Sequence, residues 1–126
     1  MILIVENDKS VREVLGMIMQ ALGQEFDTAD GVNRALQKMS QRTPDILLTD
    51  ARLFDGDVGT IVRTCQTLHP KTVIVLMSAM NRLKLEELAR DLKVERFIEK
   101  PFALDSIEQL ILTCQNIRRT QNSHLV

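Results

Sequence analysis

Glu6, Asn7, Asp8, Asp50, Ser78 and Lys100 each stand at the end of a short strand-like run, and that shared placement is what suggests chemistry. The clearest case is Pro44-Asp45-Ile46-Leu47-Leu48-Thr49-Asp50, an apolar run that delivers a carboxylate and is followed by Ala51-Arg52-Leu53-Phe54-Asp55-Gly56. A continuous apolar segment between Pro and Asp-Gly reads as a strand buried on both faces, as in parallel sheets. Ligands of open α/β sheets bind outside the carboxyl ends of the strands. Taken alone, Asp50 could equally be a solvated strand end or a helix cap. Ile2-Leu3-Ile4-Val5 repeats the pattern by breaking into Glu6-Asn7-Asp8, Thr72 to Met77 delivers Ser78-Ala79, and Arg96-Phe97-Ile98-Glu99 runs into Lys100-Pro101-Phe102. If these ends converge, carboxylates about 4 Å apart repel by about 4 kcal/mol at an effective dielectric of about 20, so the cluster calls for a cation or raised pKa values. A few hard oxygen ligands favour Mg²⁺, and a lysine beside a carboxylate and a hydroxyl suits phosphoryl oxygens.

The elements that must position these residues alternate along the chain. Apolar residues recur at helical spacing from Lys9 to Leu22, with Asp8 or Ser10 available as N-cap and Gly23 as the stop. Residues 25–29 form a weak strand, and Asn33 to Gln41 a short helix ended before Pro44. Helices follow over Val58 to Leu68, Leu83 to Leu92 and Leu104 to Ile117. Five strands alternating with five helices predict right-handed βαβ crossovers and a parallel sheet between two helical layers. Residues 118–126 are polar and aperiodic and read as a tail or the start of a linker, which leaves 1–117 as one domain.

Composition excludes several classes. The 126 residues are 44% hydrophobic and 26% charged with net charge −1, a globular balance with no basic footprint for direct nucleic-acid binding. The apolar runs are too short to span a bilayer, and Met1 leads into a strand with no basic n-region or cleavage site, so a cytoplasmic location is expected. Cys65 and Cys114 fall inside helical patterns without metal-ligand spacing and read as reduced core thiols. His69 and His124 match no motif and are expected at the surface.

From the first residue to about Ile117 the chain resembles the receiver domain of two-component response regulators. The resemblance rests on four motifs in order: the first strand with its acidic turn, Pro44 to Asp50 with Asp55-Gly56, Ser78-Ala79, and Phe97 to Phe102. It implies a doubly wound five-stranded parallel sheet of order 2-1-3-4-5 flanked by five helices. It further implies that Asp50 accepts a phosphoryl group from a histidine kinase or a histidine phosphotransfer protein, with Ser78 and Lys100 on the phosphoryl oxygens. Mg²⁺ would be held by Glu6, Asn7, Asp50 and the Arg52 backbone carbonyl, with Asp8 as a further candidate. Phe97 takes the place of the aromatic switch that acts with Ser78, and Lys100-Pro101 is expected to be cis. The output would pass to a downstream effector domain or partner protein, with a homodimer as one form.

Three departures qualify this picture. Asn7 stands where the family has a second acid as direct metal ligand, so a weakened Mg²⁺ site is expected. Arg52 could pair with Glu6 or Asp8 and partly replace the cation. Phe54 replaces a frequent proline, and Lys93-Val94 a common Gly-Ala. A degenerate receiver acting as a phosphorylation-independent interaction module is therefore the alternative. A haloacid dehalogenase-type hydrolase wants an Asp where Arg52 stands, and a flavodoxin-like cofactor site wants a Ser/Thr/Gly-rich loop after the first strand.

Overall fold

The structure, a computed structural model, describes residues 1–123. Strands β1 (Ile2–Val5), β2 (Phe26–Ala29), β3 (Ile46–Asp50), β4 (Val73–Ser78) and β5 (Arg96–Glu99) alternate with helices α1 (Lys9–Ala21), α2 (Val32–Gln41), α3 (Val58–Leu68), α4 (Arg82–Asp91) and α5 (Leu104–Ser123). The sheet is wholly parallel in the expected order β2-β1-β3-β4-β5. Because side chains alternate across a strand, Ile2, Ile4, Leu48, Val75 and Met77 pack with α1 and α5 on one face. Leu3, Val5 and Leu47 pack with α2 and α3 on the other, beside a cluster in which Leu76 meets Leu85 and Ala89 of α4. Burial of both faces is why the central strands read as unbroken apolar runs. Among the described residues no helix is long and apolar enough to cross a membrane.

Caps fix the helix ends near the strand termini. Asp8 accepts from the Val11 amide, Asp57 from Gly59 and Asn81 from Lys84, each satisfying one free N–H of a first turn. Helix α2 is capped from outside its own segment: the Asp55 carboxylate accepts from the amides of Val32 at 2.8 Å and Asn33 at 3.1 Å. Those two bonds hold the Asp55 carboxyl below its ordinary range. Gly31 makes room for them, since a Cβ there would lie 2.5 Å from a carboxylate oxygen.

Two helices end in the same Schellman geometry with different residues at its left-handed position. After α1, Gly23 (φ 68°) donates to the Gln20 carbonyl and Gln24 to that of Met19. After α4, Lys93 (φ 57°) donates to Arg90 and Val94 to Ala89. This conformation costs a residue bearing a Cβ about 1–2 kcal/mol, and glycine returns part of that through its larger unfolded-state entropy. Lys93→Gly is therefore expected to stabilise the protein by about 0.5–1 kcal/mol. Urea unfolding checks it: the midpoint should rise with the slope unchanged, and an unmoved midpoint would show that the turn bears no strain.

Two expectations are corrected here. Helix α5 does not stop at Ile117 but continues to Ser123, so residues 118–123 are helical rather than an aperiodic tail. Arg118 supplies the reason, pairing with Asp45 at 3.0 Å and donating to the Lys71 carbonyl at 3.1 Å. His69 is half-buried: its ring bridges the Met39 carbonyl (2.9 Å) and the Thr43 hydroxyl (3.0 Å), tying α2 to the end of α3. Only Nε2–H can donate to a carbonyl, which leaves Nδ1 to accept from Thr43. His124 lies outside the described residues. Cys65 and Cys114 are buried free thiols, as expected, and burial pushes both up to about 11.

Candidate functional site

The parallel sheet brings Glu6, Asp50, Ser78 and Lys100 to one edge. Asp50 is 9% exposed and Glu6 2%, so two carboxylates enter a nearly dry site. Between them stands Lys100, its Nζ 2.5 Å from Glu6 Oε2 and 3.3 Å from Asp50 Oδ2. Asp50 Oδ1 accepts from the Arg52 amide at 3.3 Å, and Glu6 Oε1 from the Asp8 amide at 3.2 Å. Burial raises the Glu6 carboxyl above its ordinary range, the Asp50 charge adds to that, and the Lys100 hydrogen bond opposes it. Lys100 thus supplies positive charge that the sequence alone assigned to a metal ion.

Backbone bonds fix this arrangement. The Lys100 amide donates to the Ser78 carbonyl at 2.8 Å, locking the ends of β4 and β5 together, and Lys100-Pro101 is cis. Ser78 is buried, and its Oγ accepts from the Met80 amide at 3.0 Å. Among the described residues the Ser78 hydroxyl donates to no acceptor, which leaves its hydrogen for a ligand. Arg12, not anticipated from sequence, donates from α1 to the carbonyls of Glu6 (2.9 Å) and Asn7 (3.2 Å), holding the acidic turn in place. A basic residue one turn into a helix runs against the helix dipole, and that was its only signal.

The remaining expected site residues point elsewhere. Asp8 caps α1. Arg52 is exposed, and among the described residues its guanidinium pairs with neither Glu6 nor Asp8; the salt bridge to Glu6 belongs to Lys100. The Asn7 amide spans the loop between β3 and α3, donating from Nδ2 to the Arg52 carbonyl at 2.5 Å and accepting at Oδ1 from the Phe54 amide at 3.0 Å. Among the described residues no three His, Cys, Asp or Glu side chains are grouped to hold a metal ion. The oxygens offered for Mg²⁺ are already engaged here: the Arg52 carbonyl accepts from Asn7 Nδ2 and the Asn7 amide oxygen accepts from the Phe54 amide, so an ion would have to compete for both.

Phe97, paired in register with Leu76, is half-buried against the cluster that includes Leu85 and Ala89. The Arg82 guanidinium lies 5.9 Å from its ring centroid and pairs with Glu86 (2.9 Å) and Glu99 (3.7 Å). The ring is thus covered from α4.

Residues 2–112 match the family described as the response regulator receiver domain. This chain belongs to that family. It is 28% identical over 108 residues to the DNA-binding transcriptional regulator NtrC of Klebsiella pneumoniae, covering 86% of this chain and 23% of that protein. The response regulator protein PilR of Pseudomonas aeruginosa is 27% identical over 119 residues, or 94% of this chain and 27% of its own length. The chain therefore spans about a quarter of these relatives. The fold likewise matches NtrX from Brucella abortus, with a TM-score of 0.89 and 22% identity over 97% of this chain and 28% of that one. A CheY-like receiver domain protein from Methanospirillum hungatei gives a TM-score of 0.84 at 19% identity over 94% of this chain and 96% of that one. A receiver domain is a signalling module of two-component systems.

Proposed function

We propose that this receiver domain accepts a phosphoryl group on Asp50 from the histidine of a kinase or phosphotransfer protein. The observation that carries the reading is the Lys100 ammonium 3.3 Å from Asp50 Oδ2, at the same edge as the Ser78 hydroxyl. In the step, a carboxylate oxygen of Asp50 forms a bond to phosphorus as the bond to the donor nitrogen breaks, and the histidine leaves with that electron pair. Lys100 and Ser78 then donate to the phosphoryl oxygens, where charge is concentrated in a loose transition state. Glu6 keeps Lys100 anchored meanwhile. Movement of Ser78 toward the phosphoryl group would draw Phe97 inward and alter the face formed by α4, β5 and α5. That face would address an effector domain, a partner protein or a second copy, with residues 1–117 and the continuation of α5 that Arg118 ties down as the working unit.

Acetyl phosphate labelling followed by intact mass tests the assignment. Wild type should gain one phosphoryl group and Asp50→Asn none. Equal labelling of both would show that another group is the acceptor. The second reading, a phosphorylation-independent interaction module, is favoured by Asn7. It predicts an unlabelled wild type that still binds its partner.

A further inference from the structure

We propose that the Asn7 carboxamide clasps the β3–α3 loop in place of a divalent cation, so that the loop is ordered without metal. This rests on the reading of Glu6, Asp50 and the Arg52 carbonyl as the place where other receivers hold their ion. The two partners of Asn7 fix its orientation. The Arg52 carbonyl can only accept and the Phe54 amide can only donate, so Nδ2 must face the first and Oδ1 the second. One side chain thereby closes a loop 45 to 47 residues away.

No carboxylate could do this. It has no N–H, and its oxygen would face the Arg52 carbonyl with like partial charges unless a cation stood between them. An acid at position 7 would also add a negative charge beside Glu6 and Asp50, whose ion-pair partner is Lys100, while the Arg12 guanidinium is already committed to the backbone carbonyls of the turn. The neutral amide adds no charge for these cations to balance. An entering Mg²⁺ would have to compete with Nδ2 for the Arg52 carbonyl and with the Phe54 amide for Oδ1.

The rest of the loop is fixed by means that also need no metal. One residue beyond Phe54, the Asp55 carboxylate is bonded to the first amides of α2. The segment is therefore held from β1 at one end and from α2 at the other. What a cation does elsewhere by drawing oxygen ligands together is done here by a donor and an acceptor on the same side chain.

The test compares wild type, Asn7→Asp and Asn7→Ala by NMR, following amide shifts of residues 52–57 and hydrogen exchange of Phe54 in EDTA and in excess Mg²⁺. Wild type should show the same loop shifts and the same exchange in both conditions. Asn7→Ala should exchange Phe54 on the order of tenfold faster, with no recovery on adding Mg²⁺. Asn7→Asp should be loosened in EDTA and re-ordered by Mg²⁺, binding it at least about tenfold more tightly than wild type. The proposal is overturned if wild-type loop amides shift with Mg²⁺ at the same midpoint as Asn7→Asp, or if Asn7→Ala leaves Phe54 exchange unchanged. Mass labelling of Asp50 reads the phosphoacceptor assignment separately, so either idea can fail without the other.

Discussion

Lys100→Ala is expected to destabilise the domain by about 3 kcal/mol near neutral pH and to slow acetyl phosphate labelling of Asp50 on the order of a hundredfold. Removing the ammonium leaves Glu6, 2% exposed, with no counter-charge at 2.5 Å and with the Asp50 carboxylate still nearby. Breaking one side of a buried pair is costly because the surviving charge has lost both water and partner. The figure sits at the low end of the usual range because Glu6 can escape by taking up a proton.

That escape gives the prediction a pH signature. The folded pKa of Glu6 is already raised above its ordinary value of 4.5, first by burial. A raised folded pKa means that the stability contributed by the protonated form is fully present below the unfolded value and is lost as pH rises through the folded one. Without Lys100 the folded value rises further, so the deficit of Lys100→Ala should be largest at neutral pH and shrink on acidification. Urea unfolding across that window measures it. In a Glu6→Gln background the same substitution should cost less, about 1–2 kcal/mol, since only Asp50, at the longer 3.3 Å contact, then loses its counter-charge. A deficit independent of both pH and Glu6 would mean that Lys100 acts through packing of its stem rather than through the pair.

Much of the frame was legible because parallel strands announce themselves. The ends of β1, α3 and β5 fell at the residues that the apolar runs and turn signals indicated, and the polar residues after each strand named the edge where the site lies. What escaped depends on partners far away in sequence. The cap on α2 comes from Asp55, the end of α5 is secured by Asp45 and the Lys71 carbonyl, and Asn7 meets atoms in a distant loop. Sequence identified Asn7 as a missing acid, a loss. Only the geometry shows the amide as a donor, and the same geometry gives to Lys100 the compensating role first imagined for Arg52.

Phe97→Ala is expected to cost about 2 kcal/mol and to disconnect α4 from the state of Asp50. Truncating a fully buried Phe costs about 3–5 kcal/mol, and Phe97 is only half-buried against the cluster that includes Leu76, Leu85 and Ala89. Its position makes it the link proposed for output. It lies on β5 beside Leu76, two residues before Ser78 on the neighbouring strand, and its ring is covered by Arg82 of α4. If a phosphoryl group drew the Ser78 hydroxyl away from the Met80 amide, as proposed, space would open behind it, and a ring moving inward would leave its place beside Arg82. Phenylalanine has no hydroxyl to hold it at the surface, so burial alone favours the inward position. Arg82 would keep Glu86 and Glu99, but its contact with the aromatic face would be lost, and that loss is what α4 would register. Amide shifts compared with and without acetyl phosphate give the readout. In wild type they should change from Leu83 through Phe102, and in Phe97→Ala only at the strand ends around Asp50 and Ser78. Shifts of wild-type size along α4 in the variant would show that the signal reaches this helix by a route that does not include the ring.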